Sequence, residues 1–294
     1  SVNLRKRDTT SKSGAMALHF TETVDLKRLH FVKSLTPKNL KELGICTTTY
    51  ESKKLQQKIN KYATTMIESN GSHTFQYRHL LPEQRGRMYC GQSIQLMKKQ
   101  IRGFLFHDST DVDVKNCAPT FFLYIAKMHN IVCNELQSFC DNVDEFRAND
   151  PKIKDAVIEM LNDEERKRGY KKDTFLYRIN TEILDMQRSL LNLEQYQWCK
   201  ECVKEEKVTN LDGSAINNLY TFYENQLCEF MVQHLTNVQQ CTVQTPFFDG
   251  VLVKGEVDLP LLQQSVDDEF PGLNATLTIK AHETPLVMPD DWQI

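Results

Sequence analysis

Two stretches of this chain carry carboxylates at spacings that suit metal-assisted chemistry. Asp111 and Asp113 stand two apart in Thr110-Asp111-Val112-Asp113-Val114-Lys115, where polar and β-branched residues alternate as in a strand. Side chains on a strand alternate between faces, so both acids project the same way. Far downstream, Thr245-Pro246-Phe247-Phe248-Asp249-Gly250-Val251-Leu252-Val253 reads as a β-hairpin with Asp249-Gly250 in or near its turn. It would present a third carboxylate from a second strand. Clustered carboxylates fix divalent cations, and two cations about 4 Å apart can activate an attacking hydroxyl and stabilise a leaving pyrophosphate. The expected chemistry is phosphoryl transfer, with Mg²⁺ or Mn²⁺ held by Asp111, Asp113 and Asp249. Each motif alone is ordinary, because an Asp-Gly pair is a common hairpin signal and a single Asp in a loop is usually solvated.

Phosphoryl transfer also needs cations for the phosphates as charge shifts towards the leaving group. The densest cationic segment runs from Glu164 to Asn180. On a helix Arg168 and Lys172 would share one face, four residues apart, which suits Lys172 to grip a triphosphate with help from Arg168. Arg85, Arg87, Lys98, Lys99 and Arg102 form a second group within eighteen residues. Arg85, Arg87 and Arg102 are candidate substrate contacts, since an arginine beside a Gly turn or on a half-buried helix suits bidentate phosphate binding. Lys98 and Lys99 read as a solvated helix face.

The elements that must position these groups follow from periodicity and punctuation. Residues 1–20 are polar, basic and rich in Ser and Thr, and read as a flexible lead-in. Residues 21–80 show helical spacing, with Pro37 in a first turn behind the cap candidate Thr36. The Asp111 strand lies in a segment spanning 81–130 and runs into a helix beginning near Pro119, with Asn116 as its cap candidate. Residues 131–238 are predominantly helical, broken near Asn149-Asp150-Pro151, Gly169 and Asn210-Leu211-Asp212-Gly213. Residues 239–294 read as strand, turn, strand, a capped helix from Asp258 to Phe270, and a last strand at 274–280. The expected class is α+β, with a long helical insertion between the two carboxylate stretches.

The totals set bounds. A length of 294 residues with 40% hydrophobic content supports a sizeable core. No run of about 18 apolar residues is present, so no membrane partner is expected. Nine scattered Cys favour reduced thiols in an intracellular compartment over a disulfide framework. Cys199 and Cys202 have the spacing of half a zinc site, with no second pair at finger or ribbon spacing. The formal charge of -3 conceals an asymmetry: residues 249–294 hold nine acidic and two basic residues, leaving 34 basic and 30 acidic in residues 1–248. That balance permits a nucleic-acid groove in the first part. The chain starts at Ser1 rather than Met, so a piece of a longer protein is expected.

The order of a strand acid, an Arg-x-x-x-Lys and a hairpin Asp resembles the three motifs of family A DNA polymerases and single-subunit RNA polymerases. Gly86-Arg87, residues 93–95, Asp111-x-Asp113-x-x-Asn116-x-x-Pro119, Lys172 with Asn180, Glu224 and Asp249-Gly250 look most like the divergent branch of virophages, giant viruses and large DNA transposons. The resemblance covers roughly residues 80–283. It implies a small palm sheet and a large helical fingers insertion; residues 21–80, expected to be a helical, thumb-like region, lie outside it. It further implies template-directed nucleotide addition, with nucleic acid template-primer and nucleoside triphosphates as partners and helicase or other replication domains in a longer chain. Asp111 and Asp249 match the two metal-binding acids, and Lys172 and Arg168 the triphosphate-binding pair. Asn116 matches the position that screens the ribose 2′-hydroxyl, and Tyr177 and Asn180 are candidate substrate contacts on the fingers helix. Phe248 and Gly250 replace the flanking His and Glu of the family's hairpin motif, and Asn180-Thr181 stand where Tyr-Gly is usual. A primase-like initiating enzyme, a two-metal nuclease and a catalytically inactive nucleic-acid-binding palm are the alternatives.

Overall fold

A computed structural model describes residues 18–165, 169–203 and 209–293. The chain is α+β, with two antiparallel sheets among many helices. It begins with strand β1 (Leu18–Thr23), then helices α1 (Leu26–Ser34), α2 (Pro37–Glu42) and α3 (Thr49–Glu68), then strands β2 (Ser72–Leu81) and β3 (Arg85–Tyr89). Helix α4 (Lys99–Leu105) leads to β4 (Thr110–Lys115) and α5 (Cys117–Met128). The helical stretch continues as α6 (Asn134–Asp141), α7 (Val143–Asn149), α8 (Ile153–Leu161), α9 (Phe175–Leu191), α10 (Gln197–Glu201) and the long α11 (Leu211–Asn237). The hairpin strands β5 (Thr242–Phe247) and β6 (Gly250–Lys254), helix α12 (Leu259–Glu269) and strand β7 (Thr276–Lys280) complete the order.

Local chemistry accounts for the helix starts. Thr36 and Asn39 form a reciprocal capping box around Pro37, Thr48 caps α3 and Asp258 caps α12, each satisfying an N–H that the first turn leaves unpaired. The N-terminal expectation needs correction. Leu18–Thr23 is a strand, and the helical stretch after it ends in another, Ser72–Leu81, which pairs with it. β3, placed by sequence with the Asp111 segment, joins that same sheet in the order β1-β2-β3.

The second sheet has the order β5-β6-β4-β7. One face carries Val112, Val114, Val251, Val253 and Leu277, all buried, as the register of β4 with β6 and β7 requires. These side chains belong to a single hydrophobic core with residues of α5, α11 and α12, including Phe122, Leu227, Met231 and Leu262. The other face carries Asp111 and Asp113. No helix among the described residues is long and apolar enough to cross a membrane.

A buried carboxylate ties the sheets together. Glu22 of β1 has no exposure. It accepts hydrogen bonds from Thr245 Oγ1 at 2.6 Å, Tyr62 Oη at 2.7 Å, the Ile94 N–H at 3.2 Å and Tyr77 Oη at 3.4 Å. All four partners are neutral, so burial pushes its carboxyl up to about 7, and the four donors only partly offset this. A raised carboxyl favours folding when protonated, so its contribution is complete below about pH 4.5 and lost as pH rises towards 7. Urea melts should therefore show stability falling by about 3 kcal/mol between pH 4.5 and 7. In Glu22→Gln that part of the slope should vanish; an unchanged slope would assign the pH dependence to other groups.

Candidate active site

Asp111 and Asp113 stand on β4 as alternation dictates. Asp111 lies directly opposite Leu252 of β6 and Lys280 of β7, and Asp113 opposite Gly250 and Thr278. Asp249 is the second residue of the two-residue turn, Phe248-Asp249, between β5 and β6. Its carbonyl accepts the Val114 N–H at 3.0 Å, which ties the turn to β4 one residue past Asp113. The three carboxylates are mutually close in the electrostatic sense. Burial, then repulsion from Asp249, raises Asp113 to about 6, and burial raises Asp111, opposed by Arg102.

Gly250 makes this convergence possible. A Cβ there would stand 2.3 Å from the Val112 carbonyl oxygen and 3.2 Å from the Asp113 Cα, both backbone atoms with nowhere to go. Gly250→Ala should push the hairpin off β4, at a cost of roughly 1–3 kcal/mol for overpacking, and displace Asp249 from Asp111. Chemical denaturation checks this: Gly250→Ala should unfold at lower denaturant than wild type, and an unchanged midpoint would contradict the close approach.

Two cations face the acids. Arg102 of α4 lays its guanidinium over the Phe247 ring, 4.2 Å from its centroid. Burial lowers its pKa, and Asp111, Asp249 and Asp113 act in the opposite direction. Lys280, at the end of edge strand β7, places Nζ 2.7 Å from Asp113 Oδ1. Sequence reasoning included Arg102 but missed Lys280. Its signal was present in part, since a strand at 274–280 was legible, but only the register puts position 280 beside the acids.

Other candidates are engaged elsewhere. Arg85 pairs with Glu83 at 2.6 Å and stacks on Trp198. Arg87 forks onto Glu224 of α11 with bonds of 2.5 and 3.0 Å, so a buried carboxylate pairs with its charge. Tyr220 donates to the same Glu224, and the Arg87 guanidinium also stacks on Phe248, 4.6 Å from its centroid. This network braces the residue before Asp249. Lys98, expected on a solvated face, pairs with Glu51 and donates to the Ile45 carbonyl.

The helical placement of Lys172 is corrected. It is exposed in a turn, and α9 starts only at Phe175, capped by Thr174, whose hydroxyl accepts from the Tyr177 N–H. Arg168 lies outside the described residues. Tyr177 lines a groove of about 430 Å³ with Glu135, Arg178 and Glu182, none of them an acid of the β4 face. Asn180 is buried on α9. Asn116 occupies the cap position of α5 in a left-handed conformation, with no side-chain cap bond. It lines a cavity of about 460 Å³ at the end of β4, together with Lys115, Lys127, Asp144 and Asn274.

The donor set can be tested against a divalent ion. Asp113 shares Oδ1 with Lys280, whereas Asp111 and Asp249 pair with no cation among the described residues. Among the described residues no three His, Cys, Asp or Glu side chains form a group ready to hold a metal. Two hard oxygen donors suit Mg²⁺, which binds through one or two carboxylates and keeps several waters.

No family model matches this chain, nor does any curated protein or solved structure.

Proposed function

We propose that this chain is a template-directed nucleotidyltransferase that adds nucleotides to a primer end by phosphoryl transfer with Mg²⁺ or Mn²⁺. The observation that carries the reading is that the β5–β6 turn brings Asp249 close to Asp111 and Asp113, which share one face of a four-stranded antiparallel sheet, although the turn lies far from them in sequence. The order of the acids along the chain resembles that of a polymerase palm, and the sheet that carries Asp111 and Asp113 is backed by helices on its apolar side. Asp111 and Asp249 would hold the ions, which supply Lewis acidity to the attacking hydroxyl and the departing pyrophosphate. The chain's own part is positioning. The β4 ladder fixes the two β4 acids relative to each other, Gly250 lets the turn approach, and the Arg87–Glu224 fork braces Phe248. A cavity of about 460 Å³ at the end of β4, lined by Lys115 and Asn116 but by none of the three acids, is within the size range of small-ligand sites, and on this reading Asn116 would meet the sugar.

The test is a 5′-labelled primer annealed to a longer template, incubated with Mg²⁺ or Mn²⁺ and with either deoxynucleotides or ribonucleotides. Lengthening that requires nucleotides supports the proposal, and the sugar used gives the product class. Shortening without nucleotides would make the site a nuclease. Synthesis on an unprimed template would favour an initiating, primase-like enzyme. Binding without any change in length would leave an inactive nucleic-acid-binding palm.

A further inference from the structure

We infer that Lys280 of β7, working with Arg102, is the phosphate-binding cation of this site. The inference rests on the nucleotidyltransferase reading and names a residue that reading did not contain. Any nucleotide triphosphate brought to Asp111 and Asp249 meets three carboxylates, and its own negative charge is repelled unless cations stand on the same face. Lys172, the sequence candidate for that task, is in an exposed turn before α9. Arg85, Arg87 and Lys98 are committed to Glu83, Glu224 and Glu51. Lys115, on the same face two residues beyond Asp113, is held by Asp144 at 2.7 Å.

Lys280 differs from these in where it stands and what holds it. Its Cα is paired with Asp111 across the β4–β7 ladder, and its amine reaches the next acid on that face, Asp113. Its side chain is 54% exposed while that of Asp113 is 9% exposed, so the amine sits at the mouth of the acid cluster. A flexible four-carbon stem lets the ammonium swing. It can leave Asp113 for a phosphoryl oxygen without disturbing β7. Arg102 approaches the same acids from α4 with its guanidinium fixed on Phe247. One cation is thus fixed and one mobile, on the same face as the carboxylates.

The experiment measures equilibrium binding of a deoxynucleoside triphosphate with a non-hydrolysable α,β linkage, in Mg²⁺. Wild type is compared with Lys280→Met, Lys280→Arg, Lys172→Met and the double variant Lys280→Met/Asp113→Asn. Loss of Lys280 should weaken binding tenfold or more, Lys280→Arg should recover most of it, and Lys172→Met should change it less than twofold. The double variant should bind as poorly as Lys280→Met. Recovery in the double variant would show that Lys280 only neutralises Asp113, and would overturn the inference. So would wild-type affinity in Lys280→Met, or an equal loss in Lys172→Met. A wild-type chain that extends primers while Lys280→Met binds normally overturns this inference alone. A wild-type chain that neither binds the triphosphate nor extends a primer overturns the nucleotidyltransferase reading and this inference with it.

Discussion

Asp111→Asn and Asp249→Asn should each lower the rate of nucleotide addition, the activity proposed for this chain, by about 10³-fold or more while leaving the fold intact. A carboxylate that fixes a catalytic cation supports several kcal/mol of transition-state stabilisation, and each 1.36 kcal/mol is worth tenfold in rate. The amide keeps the shape but offers a far weaker, uncharged donor to Mg²⁺. Stability should be unchanged or higher, because burial already disfavours the Asp111 charge and both substitutions relieve repulsion on Asp113. Single-turnover extension and thermal melting on the same preparations separate the two effects. A variant that melts normally and still extends at a rate near wild type would remove its carboxylate from the chemistry.

The second large effect is expected below the site. Glu224 has 1% side-chain exposure, and its partner Arg87 is 27% exposed. Around them, burial pushes the Tyr220 hydroxyl and the Cys117 thiol well up, and the Glu224 charge adds to both. Neither group takes on a second negative charge there. Arg87→Met would leave Glu224 buried without its cation. Breaking a buried pair from one side costs about 3–5 kcal/mol, which in a chain of this size lowers Tm by on the order of 10 °C. Arg87→Met/Glu224→Gln removes both charges and should recover much of that loss. Calorimetry on the two variants decides the matter. If the single substitution lowers Tm no more than the double, the fork is not what holds α11 to β3.

The acid-bearing sheet was the most legible part of this chain. The period-two spacing of Asp111 and Asp113, the Asp249-Gly250 turn signal, the Asp258 cap and the alternating 274–280 segment are local signals, and each element stands where they point, with the turn one residue earlier at Phe248-Asp249. The N-terminal sheet was not legible. β2 carries His73, Gln76, Arg78 and His79 among its apolar residues, and the residues it pairs with on β1 are 49 to 59 positions away. Neither looks like a core strand in isolation.

The cations show the same limit. Lys172 appeared helical because Arg168 stands four residues before it. The competing signal was Thr174, a cap residue that starts α9 only at Phe175. Lys280 and Glu22 carry no local mark of their roles. Lys280 gains its role from the register of β7 on β4. Glu22 gains its role from partners on α3, β2, β5 and the turn at Ile94. Sequence patterning predicts which residues share a face, whereas long-range pairing decides which faces meet.

The most direct test of the central claim is single-nucleotide incorporation opposite each of the four template bases, with a labelled primer and one nucleotide supplied at a time in Mg²⁺. The account predicts that the primer gains one residue chiefly when the supplied nucleotide complements the template base, and that Asp111→Asn and Asp249→Asn lose this product. Addition that ignores the template base, or no addition by a folded wild-type chain that binds the duplex, would contradict it.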